Sequence, residues 1–327
     1  MKKEKIRPIF IFCLPRSGST LLQRFITSHN AVSSVSEPWV LLPFLYPLKE
    51  HGIYAEYSHS IMHRALQDFL KTLPSEKEDY LTAIRGAVLT LYKKAADSSS
   101  IYFLDKTPRY HLICEDIIEM FPDGKFIFLW RNPLSIISSI IETWGKGRWN
   151  LFNYKIDLYD GINNLTNTYR KYEDKSLAIN YEDFITDMDN ELKRVFSYLE
   201  LELQPDIKEK YLDVMLSGDM GDDTGKKSYH QISEKPLEKW KGILCNPFRK
   251  FWCKKYINWL GSNRLESMGY VKNELLEDIE GVETNFNSFP GDLILAVGGV
   301  IYCLFDLNIL MRKLRTIKNF RTVIRYK

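Results

Sequence analysis

Phe10-Ile11-Phe12-Cys13-Leu14-Pro15-Arg16-Ser17-Gly18-Ser19-Thr20 reads as a buried strand, a tight turn and the start of a helix. The run Ile6–Cys13 is rich in β-branched and aromatic residues without polar alternation, as in a strand covered on both faces. A turn of this kind aims backbone N–H groups and a helix N-terminus at one point, which suits an anion. Arg16 adds a guanidinium fork, and Ser17, Ser19 and Thr20 add hydroxyl donors. Gly18 lets the backbone approach closely. A plain strand-to-helix turn capped by Ser or Thr is the alternative. A triphosphate loop would read GxxxxGK[ST], but Gly18 is followed by Ser19-Thr20, and no strand is read as ending in a metal-binding aspartate. The anion expected is therefore not a magnesium-bound triphosphate.

Outward from this segment, short apolar runs alternate with helical patterns, giving an α/β chain with a mostly parallel sheet. The strands expected are Ile6–Cys13, Val32–Ser36, Ile101–Asp105, Lys125–Trp130 and Leu177–Tyr181. Helices are expected at Thr20–Ser28, Tyr57–Leu73, Glu76–Ala96, His111–Met120, Leu134–Trp144, Tyr154–Tyr172 and Phe184–Leu199, with a further pair at Asp206–Leu216 and Phe248–Met268. The polar, glycine-rich stretch Ser217–Lys235 reads as a mobile surface loop.

At 327 residues, with 45% hydrophobic and 27% charged residues, the chain can bury a large core and is neither disordered nor fibrous. Five cysteines without CxxC spacing read as free thiols rather than a zinc site. The net charge of +3 is uneven: residues 312–327 carry seven Lys or Arg and no acid, leaving the body mildly acidic. That body offers no broad nucleic-acid surface.

A second segment, Lys125-Phe-Ile-Phe-Leu-Trp-Arg131-Asn132-Pro133-Leu-Ser-Ile-Ile-Ser-Ser139, puts an arginine at a strand tip and a hydroxyl about two turns into the next helix. The two could converge on a second phosphate; equally, Arg131 could pair with a surface carboxylate.

Together the segments resemble the sulfotransferases that use 3′-phosphoadenosine 5′-phosphosulfate (PAPS). Pro15–Thr20 is similar to their 5′-phosphosulfate loop, and Arg131 with Ser139 to their 3′-phosphate site. Leu177-Ala-Ile-Asn-Tyr181-Glu182-Asp183-Phe184 resembles the family's strand ending in Tyr-Glu-Asp, whose tyrosine lies near the nucleotide. Leu237-Glu-Lys239-Trp240-Lys241-Gly242 resembles the element that closes over it, and Leu265–Tyr270 the final helix and turn. The resemblance implies a three-layer, P-loop-like parallel sheet flanked by helices over residues 1–272; a C-terminal helical tail at 273–327, apolar and then basic, is expected beyond it and is not covered by the resemblance. It implies PAPS as co-substrate and no required metal, with Arg16, Ser17, Gly18, Ser19, Thr20, Arg131, Ser139, Tyr181 and Lys239 on the nucleotide.

Sulfuryl transfer needs cationic donors on the moving group and a base for the acceptor. Lys106, in Leu104-Asp-Lys106-Thr107-Pro108, follows a strand and would serve the sulfuryl group beside Arg16. In cytosolic members of the family a Lys-Thr-His motif supplies a histidine base; Pro108 stands there here and cannot accept a proton. Glu37, in Ser36-Glu37-Pro38-Trp39, is then the expected base. Its segment resembles the glutamate region of the tyrosylprotein and carbohydrate types, and apolar Pro38, Trp39 and Val40 would favour basicity. His111 is the rival, read as facing solvent or capping its helix.

The stretch Leu293–Met311 is the most apolar in the chain, interrupted by Asp306 and Asn308, and the basic cluster follows it. One reading is a short membrane-inserted or interfacial anchor through Leu293 to Lys327, its cations held by anionic headgroups; the other is a helix packed on the domain or on a second subunit. With the first apolar run read as a strand and not a secretory segment, the location expected is cytoplasmic, peripheral at the inner membrane face. The acceptor expected is a carbohydrate, lipid or small-metabolite hydroxyl. The rival functions are a nucleotide or small-molecule kinase on the same architecture, and a non-catalytic nucleotide-binding protein at a membrane.

Overall fold

The computed structural model describes residues 6–50, 58–218 and 235–305, together with 307, 310 and 314. Five strands, β1 (Arg7–Phe12), β2 (Val32–Ser34), β3 (Tyr102–Asp105), β4 (Lys125–Trp130) and β5 (Ser176–Asn180), form one parallel sheet in the order β2-β3-β1-β4-β5. The α/β class and the five strands follow the sequence expectation, with ends shifted by one or two residues. Ile6–Cys13 is a strand at the centre of the sheet, paired with β3 on one side and β4 on the other.

Alternation along β1 explains why its sequence carries no polar face. Phe10 and Phe12 point into one core cluster with Phe103, Phe126, Phe128 and Trp130; Ile9 and Ile11 point into another with Leu104, Ile127, Leu129 and Ile179. In the first cluster Phe12 stacks on Phe126, with centroids 6.1 Å apart, and lies tilted against Phe128 at 5.2 Å. Helices cover both faces, making three layers.

Several expected helices are interrupted. Leu134–Trp144 is an α-helix at Pro133–Ser139 that passes into a π-helical turn at Ile140–Trp144. Tyr154–Tyr172 begins with a π-helical turn at Ile156–Gly161 before the α-helix Ile162–Lys171. Such turns are frequent beside functional sites. Phe184–Leu199 breaks into Tyr181–Thr186 and Met188–Tyr198, because Asp187 leaves helical geometry (φ −130°, ψ 53°). Asp206–Leu216 keeps only one turn, Ile207–Lys210. The loop expected at Ser217–Lys235 lies almost wholly outside the described residues, as do Asp306, Asn308 and the basic residues from Arg312 to Lys327.

Beyond the sheet, Lys235–Ile243, Pro247–Ser267, Lys272–Gly281 and Phe289–Leu304 are helical. Trp240, Tyr256, Leu260, Leu275 and Ile279 join the aromatic cluster. Among the described residues no helix is long and apolar enough to cross a membrane.

Candidate nucleotide and transfer site

Each strand delivers one candidate segment at its C-terminal end. β1 leads into Arg16–Thr20, β2 into Glu37, β3 into Lys106, β4 into Arg131 and β5 into Tyr181. Strand order reverses around β1, and that crevice is where parallel sheets bind ligands.

The turn after β1 is held in an unusual backbone shape: Arg16 has φ 69° and Gly18 φ 84°. At Gly18 a Cβ would lie 2.3 Å from Cε2 of Tyr181, so the tyrosine ring packs onto the bare glycine. The helix Ser19–Thr27 starts there, with Leu21 N–H donating to the Gly18 carbonyl at 3.0 Å. Arg131, 8% exposed, donates from Nη1 to the Arg16 carbonyl at 2.8 Å, and its guanidinium lies 4.4 Å from the Tyr181 ring centroid. Arg131 Nε and Ser17 Oγ are buried and have no hydrogen-bond partner among the described residues. Buried polar atoms of this kind call for a partner, and phosphate oxygens would supply it.

Arg16 turns toward the helix after β4. Its Nε donates to Ser139 Oγ at 3.0 Å and its Nη2 to Thr143 Oγ1 at 3.3 Å, with the guanidinium 5.9 Å from the Trp144 ring. Arg16 and Ser139, expected at the 5′ and 3′ ends of one ligand, thus touch. Lys239 ion-pairs with Glu142 at 2.7 Å, one residue from Thr143.

On the other side, Lys106 Nζ reaches Glu37 Oε1 at 3.0 Å and Thr20 Oγ1 at 3.4 Å, with the lysine side chain 2% exposed. The apolar surroundings expected for Glu37 give way to two donors, Lys106 Nζ and Trp39 Nε1 (3.3 Å). Cys13 is fully buried, and burial pushes its thiol up to about 11, which excludes it as a nucleophile near neutral pH.

Sequence reading missed three features. First, Asp105, expected only as the end of its strand, is fully buried and bonded. Its carboxylate accepts from Tyr92 (2.6 Å), Tyr110 (3.0 Å) and Thr107 (3.2 Å), and burial raises it to about 6. Thr107 Oγ1 and Tyr110 Oη in turn accept from the Trp39 and Leu41 N–H groups, tying the Glu37 segment to β3. Second, Thr143 lies four residues after Ser139, a helical spacing that could have singled it out. Third, His111 neither faces solvent nor caps a helix: it is fully buried, with Nε2 2.7 Å from Asp157, which also pairs with Arg109 at 3.3 Å. Asp157 takes one ring nitrogen, and the other, Nδ1, is buried against Gly161 without a hydrogen-bond partner among the described residues, so the ring offers no exposed nitrogen to an acceptor.

A model of the sulfotransferase family matches residues 8–205. Nodulation protein NoeE of Sinorhizobium fredii is 29% identical over 140 residues, covering 42% of this chain and 31% of NoeE. Omega-hydroxy-beta-dihydromenaquinone-9 sulfotransferase Stf3 of Mycobacterium tuberculosis is 23% identical over 245 residues, covering 59% of this chain and 63% of Stf3. Among solved structures, a sulfotransferase domain from the curacin biosynthetic pathway aligns with TM-score 0.48 and 24% identity, over 73% of this chain and 92% of that one. This chain covers less than two thirds of the length of NoeE and of Stf3.

Proposed function

The chain belongs to the sulfotransferase family, and on that premise we propose that it transfers a sulfuryl group from PAPS to an acceptor hydroxyl. The observation that carries the reading is the junction at Arg16. Its carbonyl accepts from Arg131 while its side chain donates to Ser139, so cations and hydroxyls from both strand exits face one crevice.

In this reading Arg16 and the amides and hydroxyls of Ser17, Gly18, Ser19 and Thr20 hold the 5′-phosphosulfate. Arg131 and Ser139 hold the 3′-phosphate, with Tyr181 and Lys239 bordering the nucleotide. The unpartnered Arg131 Nε and Ser17 Oγ fit such a ligand. Lys106 donates to the sulfuryl oxygens; an ammonium has three N–H donors, and Thr20 and Glu37 take two of them. Glu37 takes the acceptor proton as the new O–S bond forms, and the S–O bond to the 5′-phosphate breaks with its electron pair leaving on the bisphosphate. Charge stabilisation comes from arginine, lysine and backbone N–H groups, so no metal is assigned a role. The acceptor class is a carbohydrate, lipid or small-metabolite hydroxyl.

The test is a pair of radiolabel assays with this protein. Label moving from PAPS to an acceptor, with none from γ-labelled ATP, is the expected result. Transfer from ATP alone would establish a kinase instead.

A further inference from the structure

The helix Phe289–Leu304 carries two apolar faces where a surface helix has one. Its inner face is fixed to the domain. Asp292, 1% exposed, pairs with Arg249 (2.6 and 3.1 Å), accepts from Asn246 (2.7 Å) and from the Trp149 N–H (3.2 Å). Arg249 Nη2 also donates to the Gly147 carbonyl at 2.7 Å. Two turns further on, Gly299 lies against the Phe152 ring, where a Cβ would come within 2.4 Å. The packed-helix reading therefore describes this face.

The outer face has no cover among the described residues. Ile294, Val297, Val300, Ile301, Leu304 and Phe305 are 48% to 75% exposed, and no charged residue occurs from Leu293 to Phe305. A contiguous exposed apolar stripe marks an interaction surface. Two facts point to its occupant. Among the described residues no helix is long and apolar enough to cross a membrane, and this one, 16 residues long, is pinned at its start by a buried ion pair. The sequence then continues with seven cations and no acid over residues 312–327, the complement of an anionic lipid surface.

This helix also adjoins the candidate site. Phe152 packs on it through Tyr302, with ring centroids 5.6 Å apart. Two residues on, Tyr154 stacks on Trp144 at 4.7 Å, and Trp144 flanks the Arg16 guanidinium.

We propose that the outer face of Phe289–Leu304, together with the basic stretch after it, docks the protein on an anionic bilayer without crossing it. The acceptor hydroxyl is then carried by an amphiphile resting in that surface, next to the Arg16 end of the site. The acceptor half rests on the sulfotransferase reading; the docking half does not.

The experiment is flotation of the full chain with vesicles of phosphatidylcholine, or of equal parts phosphatidylcholine and phosphatidylglycerol. The wild type should float with the anionic vesicles and lose at least about tenfold in partition on raising salt, or in pure phosphatidylcholine. The variant Ile294→Glu/Val297→Glu/Leu304→Glu should stay in the bottom fraction while binding adenosine 3′,5′-bisphosphate as the wild type does. Wild type that stays down with anionic vesicles overturns the proposal, and so does a variant that floats. So does a wild-type dimer that the variant converts to monomer, since a second copy would then cover the face. With radiolabelled PAPS and vesicles of total membrane lipid, label should enter the organic phase; label confined to water-soluble hydroxyls overturns the acceptor half. Vesicle binding without bisphosphate binding would instead fault the sulfotransferase reading.

Discussion

Arg131 Nη1 donates to the Arg16 main-chain carbonyl at 2.8 Å, tying the guanidinium after β4 to the turn after β1. One side chain thus fixes the turn and, in the proposed reading, meets the 3′-phosphate. Arg131→Ala should weaken adenosine 3′,5′-bisphosphate binding by about ten- to a hundredfold, the worth of a charge-assisted hydrogen bond. Arg131→Lys should fall between, since an ammonium keeps the charge and loses the fork. Calorimetric titration of the three proteins checks the order.

Lys106 and Glu37 touch at 3.0 Å, and Lys106 also reaches Thr20 of the loop assigned to the 5′-phosphosulfate. Glu37→Gln should lower kcat by about a hundred- to ten-thousandfold, the range for a lost general base, and leave the KM for PAPS nearly unchanged. Lys106→Ala should lower kcat as well, and additionally free Glu37 from its ion pair. Steady-state kinetics with saturating PAPS would read both; turnover that survives both changes would leave the site without its chemistry.

Gly18 combines φ 84° with the Tyr181 ring at contact, so a methyl there meets both backbone strain and a clash. Gly18→Ala should cost about 1–3 kcal/mol of stability and abolish bisphosphate binding. Adding Tyr181→Ala should recover part of the loss, because the clash disappears and the strained φ remains. Denaturant melts of the single and double variants give the comparison.

Asp105 predicts a pH effect on stability. Burial raises its folded value from 3.8 to about 6, so between those values the folded protein holds more protons than the unfolded chain. Its contribution to stability is therefore greatest at low pH, falls as pH rises through this window, and is smaller by about 3 kcal/mol above it. Relative to wild type, Asp105→Asn should show a flatter dependence between these limits in denaturant melts. An identical slope would mean that Asp105 titrates near its ordinary value.

Much of this architecture was legible in the chain. Lys125–Trp130 is legible to the residue, because a strand buried on both faces is an unbroken apolar run bounded by turn residues. The positions after the strands were legible too, since Arg16, Lys106 and Arg131 each follow an apolar run directly. What stayed hidden depends on three-dimensional proximity. No periodicity announces the π-helical turns at Ile140–Trp144 and Ile156–Gly161, since one added residue per turn leaves the apolar count unchanged. Asp105 read as a strand end because its partners Tyr92 and Tyr110 come from separate segments. His111 read as a surface residue because Asp157, which buries with it, lies 46 positions away.

The central claim is that one bis-phosphorylated adenosine spans the crevice between Gly18 and Arg131. Calorimetric titration of the protein with adenosine 3′,5′-bisphosphate, with and without magnesium, tests it most directly. The account predicts a one-to-one isotherm in the micromolar range or tighter, the same in both buffers. No binding heat, or binding that requires the metal, would contradict it.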